Sequence, residues 1–361
     1  MKVLMVGWGF PPDIDGGLDI HVSELFKQLR SSSEVEVDLA LPEKRAPDIN
    51  GIMPVKTGKG DMIQRARNMS QEIANMSGEY DVLHSHDWLG AEAGFKAKKY
   101  SNIGWITTFH SLSSGRSRSS SERIERMEKA AAEGADRLVA VSNSLAKEVN
   151  DRYGVKPDVI HNGFRKPSTR GVDVKKMLGI EEEMIFYVGR HAEQKNIELL
   201  LRAFKKLDRG TLVIGGRGHL TEALQSFAKM LGVEDDVKFV GFVPDGELGD
   251  YYASADVFVS PSRNEPFGLT IAEAACCGTP VVSTESGVHE VLPDDSYFRC
   301  EPNSDSMREN IQAALGSETE PVEPRSWSKV AEELENVYRE ISSRSSTSPW
   351  CTKTKTSSPD P

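Results

Sequence analysis

Short apolar runs alternate with longer stretches in which apolar residues recur at helical spacing throughout the first half of the chain. The short runs predict strands over Lys2–Trp8, Glu34–Leu41, Asp81–His86, Ile103–Phe109, Arg137–Val141 and Asp158–His161. The periodic stretches predict helices over Gly17–Leu29, Asp61–Met76, Ser120–Gly134 and Ser144–Arg152, the last entered through the cap-rich Ser142-Asn143-Ser144. Alternation of this kind builds right-handed βαβ units and a doubly wound parallel sheet. The pattern breaks at Phe164–Asp173, a polar, aperiodic linker containing Pro and Gly.

A second alternating series follows. Strands are expected over Met184–Val188, Thr211–Ile214, Val237–Val240, Val257–Ser260 and Pro280–Ser283, with helices over Asn196–Leu207, Leu220–Leu231 and Leu269–Gly278. A last amphipathic helix, Trp327–Ile341, carries Val330, Leu334, Val337 and Ile341 on one face. Ser342–Pro361 is rich in Ser, Thr and Pro and is expected to be disordered. The reading is therefore α/β, two Rossmann-like domains facing across a cleft: residues 1–163, residues 164–326, a helix at 327–341 packing back on the first domain, and a tail at 342–361. A length of 361 residues suits two such domains.

Composition narrows the classes. The net charge is −11, with 55 acidic against 44 basic residues, which argues against bulk binding to nucleic acid. No run approaches the length of a membrane-spanning helix, and Val3–Val6 reads as a strand rather than a secretory signal. Cys276, Cys277, Cys300 and Cys351 have neither zinc-ligand spacing nor a disulfide framework, so they read as reduced thiols of a cytoplasmic enzyme.

Open α/β sheets bind ligands beyond the carboxyl ends of their strands, so those loops carry the candidates. Gly7-x-Gly9 is followed by Pro12 where a dinucleotide fingerprint needs its third glycine; Gly16 and Gly17, at a helix start, are better placed for an anion or a sugar hydroxyl. His84-Ser85-His86-Asp87-Trp88 reads as a polar cleft wall, with His86 or Asp87 hydrogen-bonding an acceptor sugar and Trp88 as a platform; a metal site there is the weaker alternative. His110 follows the next strand. In the second half Arg190 and Lys195 bracket a loop beside a helix start, which suits a diphosphate, and Gly215 opens another permissive loop. Glu265 precedes a helix, Gly268 and Leu269 present amides at its start, and Glu273, one turn in, is placed to hold a ribose.

The chain resembles the retaining glycosyltransferases of the GT-B fold, in the group that includes glycogen synthases. The matching pieces are P-P-x₃-G-G, H-S-H-D-W, T-F-H-S, V-S-N-S, I-H-N-G, V-G-R-x₄-K-N and E-P-F-G-x₄-E, in family order from residue 11 to 280. The resemblance implies transfer of a hexose from a UDP-, GDP- or ADP-linked sugar to a hydroxyl acceptor, with no cofactor, metal or nucleic acid, and peripheral membrane association if the acceptor is a lipid. Carried over, Arg190 and Lys195 hold the diphosphate, Glu273 the ribose and Glu265 the transferred sugar, while Phe267, Gly268, Leu269 and Gly16 line the phosphate and sugar. His110 is implied to contact the donor sugar near its reacting carbon. Ser286-Gly287 and Gly218-His219 depart from the family's usual Gly-Gly and Gly-Pro. Two other classes share such a scaffold: non-hydrolysing nucleotide-sugar 2-epimerases and non-catalytic nucleotide-sugar or glycan binders.

Overall fold

The computed structural model describes residues 1–116 and 121–345. Its first sheet has seven strands, β1 Lys2–Val6, β2 Glu36–Pro42, β3 Ile52–Val55, β4 Val82–His86, β5 Gly104–Phe109, β6 Arg137–Ala140 and β7 Asp158–Val159. The second has six, β8 Met184–Val188, β9 Thr211–Gly215, β10 Val237–Gly241, β11 Val257–Ser260, β12 Val281–Ser283 and β13 Phe298–Arg299. Every pairing is parallel. Strands buried on both faces explain the near-continuous apolar runs, such as Met184–Val188.

Strand order is β3-β2-β1-β4-β5-β6-β7 in one sheet and β10-β9-β8-β11-β12-β13 in the other. Each order reverses at one place, between β1 and β4 and between β8 and β11. Crevices open there, beyond the strand ends. The loops that leave these four strands carry the glycine, Asp87–Trp88, cation and glutamate candidates, and His110 follows the neighbouring β5.

Residues 160–173 contain neither helix nor strand, as expected of a linker. They are nevertheless tied down: the Asp250 carboxylate accepts from the backbone N–H groups of Arg170, Gly171 and Val172 and from the Arg170 side chain. The last helix runs Trp327–Ser345 and packs on the first sheet, with Trp327, Val330, Leu334, Tyr338 and Ile341 in one core with Val22, Val82 and Ile106. Ser342–Ser345 thus continue the helix, which corrects the expectation of disorder from Ser342 onward; the rest of that tail and Ser120 lie outside the described residues.

Several elements escaped the pattern. The Pro54-containing β3 is an edge strand, where a missing N–H is tolerated. The helix Ala91–Ser101 shows a weak apolar stripe because it approaches the sheet through small residues; a Cβ on Gly94 would stand 2.0 Å from the Trp105 ring. The helix Asp245–Ser254 contains Gly249, whose Cβ position lies 2.3 Å from the Ser168 carbonyl oxygen.

Candidate active site

A cleft of about 330 Å³ lies between the two sheets. The first sheet's loops contribute Trp8, Gly16, Gly17, Trp88 and His110, and the second's contribute Gly189, Arg190, Lys195, Glu265 and Phe267 to Thr270. The two halves approach closely: a Cβ on Gly17 would meet Leu269 at 3.7 Å, and one on Gly115 would meet the Asn264 amide at 2.4 Å.

Gly16 is extended and a Cβ there would meet nothing within 4 Å. The protein's own packing does not demand glycine; the cleft is what a side chain would obstruct. Across from it, Gly268 caps the helix Leu269–Cys276 at φ 102°, a left-handed conformation that favours glycine, and its Cβ position lies 2.6 Å from Ser286 Oγ. This helix N-terminus points partial positive charge at the cleft.

The cations behave differently from each other. Arg190 is exposed, whereas Lys195 is partly buried and its Nζ stands 2.5 Å from Glu265 Oε2. Ser262 Oγ also donates to that carboxylate oxygen, at 2.9 Å. Glu265 is therefore held in one orientation at the cleft, facing the same space as Arg190.

Glu273 lies on the helix behind the lining residues rather than among them. It accepts a hydrogen bond from Tyr252 Oη at 3.1 Å. Burial pushes its pKa up to about 7, against the lowering effects of the Tyr252 hydrogen bond and the Arg165 charge. Gly215 also stays off the cleft. It is the last residue of β9, with Val243 and Val188 crowding its Cβ position at 3.0 and 3.2 Å.

The H-S-H-D-W residues lie mostly behind the cleft surface. His86 is 1 % exposed and Asp87 is fully buried, and neither lines the cleft. Asp87 sits at φ 50° and its Oδ1 accepts from the His110 backbone N–H at 2.7 Å and more weakly from that of Ser111. It thereby shapes the loop that presents His110. Trp88 lines the cleft with 3 % of its surface exposed.

Four histidines converge beneath the cleft floor. His84 is satisfied by Tyr338 Oη at 2.7 Å and Thr108 Oγ1 at 2.8 Å. His86 Nδ1 and His110 Nε2 share a hydrogen bond at 3.1 Å. His21, on the helix Gly17–Arg30, donates from Nδ1 to Asn162 Oδ1 at 2.8 Å. One ring nitrogen from each of His21, His86 and His110 lies within 4.8 Å of the others, an arrangement that could hold a metal ion. Burial lowers His21 to about 4 and His84 to about 3, and holds His86 well below its ordinary value, so these rings are neutral at pH 7. His21 and Asn162 had no role on sequence grounds. A histidine one turn into an apolar helix face gives no local sign that it meets two strand-end histidines.

A contact between the halves had likewise no sequence signal. Glu290 accepts from the backbone N–H of Asn143 (2.7 Å) and of Ser144 (3.0 Å) and is 2.8 Å from His161 Nε2. It thereby caps the helix Asn143–Tyr153 from the opposite half of the molecule. Burial alone would raise its pKa; those hydrogen bonds hold it below the usual carboxylate range.

Two facing parallel sheets, with a basic loop and a glycine-opened helix start on opposite walls of one cleft, are the architecture of the GT-B fold. Family models bear on this directly: residues 15–165 match the description "Glycosyltransferase Family 4" and residues 174–333 match "Glycosyl transferases group 1". An uncharacterized glycosyltransferase of Methanocaldococcus jannaschii, MJ1607, is 32% identical over 94% of this chain and 98% of its own length. The D-inositol 3-phosphate glycosyltransferase of Streptosporangium roseum is 29% identical over 75% of this chain and 73% of its own. In three dimensions the sucrose-phosphate synthase of Thermosynechococcus elongatus matches with a TM-score of 0.78 at 22% identity, over 95% of this chain and 99% of that one. The chain belongs to the group 1 glycosyltransferases. No helix among the described residues is long and apolar enough to cross a membrane.

Proposed function

We propose that the protein transfers a hexose from a nucleoside diphosphate sugar to a hydroxyl acceptor with retention of the anomeric configuration. The observation that carries this is the meeting, in one cleft, of Arg190, Lys195 and Glu265 from one half with Gly16, Gly17 and His110 from the other. The 164–326 half would hold the donor and the 1–163 half the acceptor. Arg190 and Lys195 would bind the diphosphate together with the amides of Gly268 and Leu269, and Glu273 would take the ribose. Glu265, Phe267 and His110 would hold the transferred sugar.

In the reaction the bond between the anomeric carbon and the phosphate oxygen breaks, its electron pair passing to the leaving diphosphate. Charge grows on that phosphate as the bond lengthens, and fixed cations and a helix start aimed there are worth more in the transition state than in the ground state. The acceptor oxygen bonds to the same face of the sugar, and its proton passes to the departing phosphate oxygen. Lys195 is shared in this scheme: donor phosphate competes with Glu265 for it, leaving Glu265 to accept from sugar hydroxyls.

Incubation with UDP-, GDP- and ADP-linked hexoses and a panel of hydroxyl acceptors tests the reading. Release of nucleoside diphosphate matched by a glycosylated acceptor is expected. A sugar altered at C2 with the nucleotide still attached would indicate an epimerase, and binding without turnover a non-catalytic binder; either result overturns the proposal.

A further inference from the structure

The histidine cluster below the cleft has no part in the scheme above beyond His110 itself. His21 Nε2 and His86 Nε2 are both buried and lack a hydrogen-bond partner. Unpartnered buried nitrogens are costly, and burying several imidazoles side by side multiplies that cost. The neighbours are not makeshift: Asn162 engages His21, Thr108 and Tyr338 engage His84, and Trp327 packs edge-on against His21 at 5.4 Å. His84 and His86 lie 4.3 Å apart with their rings tilted by 37°, and His21 meets His110 edge-on at 4.5 Å. The His110 ring is thus enclosed on the side away from the cleft by two other imidazoles, one hydrogen-bonded to it.

The geometry points to His86 and His21 as positioning residues for His110. Because Asn162 Oδ1 can only accept, His21 carries its proton on Nδ1. Between His86 Nδ1 and His110 Nε2 there is one proton, so each ring's tautomer dictates the other's. His110 Nε2 is committed to His86, so the orientation of the His110 ring at the cleft is fixed by that bond. The Asp87 carboxylate fixes the backbone of the same residue. Ring and main chain of His110 are therefore set from two directions before any substrate arrives, which is what a group meeting the reacting sugar requires. This inference rests on the proposed contact between His110 and the donor sugar.

The test compares His86→Leu, His86→Asn, His110→Ala and the His86→Leu/His110→Ala double variant in steady-state transfer assays, with nucleoside diphosphate affinity measured by calorimetry. His86→Leu should lower kcat by about 10–100-fold while leaving the diphosphate dissociation constant within about twofold. His86→Asn, which keeps a polar atom where Nδ1 stood, should recover most of the rate. The double variant should be no slower than His110→Ala alone, since His86 acts only through that ring. Losses that multiply in the double variant, or equal losses in kcat and diphosphate affinity, would overturn the inference. If His86→Leu does not fold, His86→Gln, whose amide stands in for the unpartnered Nε2 rather than for Nδ1, replaces it with the same expected loss. A wild-type protein that retains one equivalent of zinc, lost in His21→Leu, would also overturn it, because the three rings would then be a metal centre. A wild type inactive with every donor would sink the proposed function instead, a result distinct from any of these.

Discussion

Replacing Glu273 by Gln should make the empty protein more stable and its nucleotide binding weaker. Glu273 has its pKa raised from 4.5 to about 7 by burial, so between those values the folded state binds a proton that the unfolded state releases. Stability contributed by this group is therefore highest below pH 4.5 and falls as pH rises through 7. At 1.36 kcal/mol per unit the full difference is about 3 kcal/mol at pH 8. Gln keeps the volume and keeps an acceptor for Tyr252 Oη, so the substitution removes the charge and little else. A gain of about 1–3 kcal/mol at pH 8 follows, or roughly 2–10 °C in the melting temperature of a domain this size. At pH 4.5 the wild-type carboxyl is largely protonated and the gain should shrink to a small fraction. Nucleoside diphosphate binding should weaken by about 1.5–3 kcal/mol through loss of charged hydrogen bonds to the ribose. Melting curves at both pH values and titration calorimetry at pH 8 read the two effects. An equal change in melting temperature at both pH values would refute the electrostatic reasoning, and unchanged diphosphate affinity would refute the ribose assignment.

Lys195→Ala and Arg190→Ala should lower kcat by about 10²–10³-fold with much smaller changes in the donor KM, because the charge they meet is greatest in the transition state; steady-state kinetics with equal effects on both constants would contradict this. Glu290→Ala removes the cap that one half places on a helix of the other, costing about 1–3 kcal/mol, and should enlarge the radius of gyration in small-angle scattering; an unchanged scattering profile would show that other contacts hold the halves together. Ending the chain after Ser345 should leave melting temperature and turnover unchanged, whereas ending it before Trp327 strips the apolar partners of Val22 and Ile106 and the Tyr338 partner of His84, and should abolish activity with every cleft-lining residue in place.

Where one strand and the loop after it hold both the signal and the chemistry, the sequence was readable. Met184–Val188 followed by Gly189, Arg190 and Lys195 is such a case, and so is Val257–Ser260 followed by Glu265 and Gly268. Both loops leave strands flanking the reversal point of one sheet, which is why local punctuation sufficed. Small residues hid what close packing required: Ala91–Ser101 and Asp245–Ser254 approach their neighbours through Gly94 and Gly249 and so lack a broad apolar stripe. Direction was the other loss. Alternation along β4 places His84 and His86 on one side, but not what covers it, and both faces of this strand are buried: His84 meets Tyr338 of the last helix and His86 meets His21 of the first. The left-handed backbone of Asp87 then turns its carboxylate back to the His110 loop, a conformation nothing in an aspartate announces. Contacts between the halves, such as Glu290 with Asn143 and Ser144 at separations of 147 and 146 positions, become visible only when the two sheets face each other.

The central claim is transfer with retention at a cleft built around Arg190, Lys195 and Glu265. Its most direct test is the anomeric configuration of the product, read by the one-bond carbon–hydrogen coupling in NMR as the product first forms from an α-linked nucleotide sugar labelled at C1. The account predicts an α-linked product at the earliest time point, absent in Lys195→Ala. A β-linked product formed by the wild-type protein would contradict it.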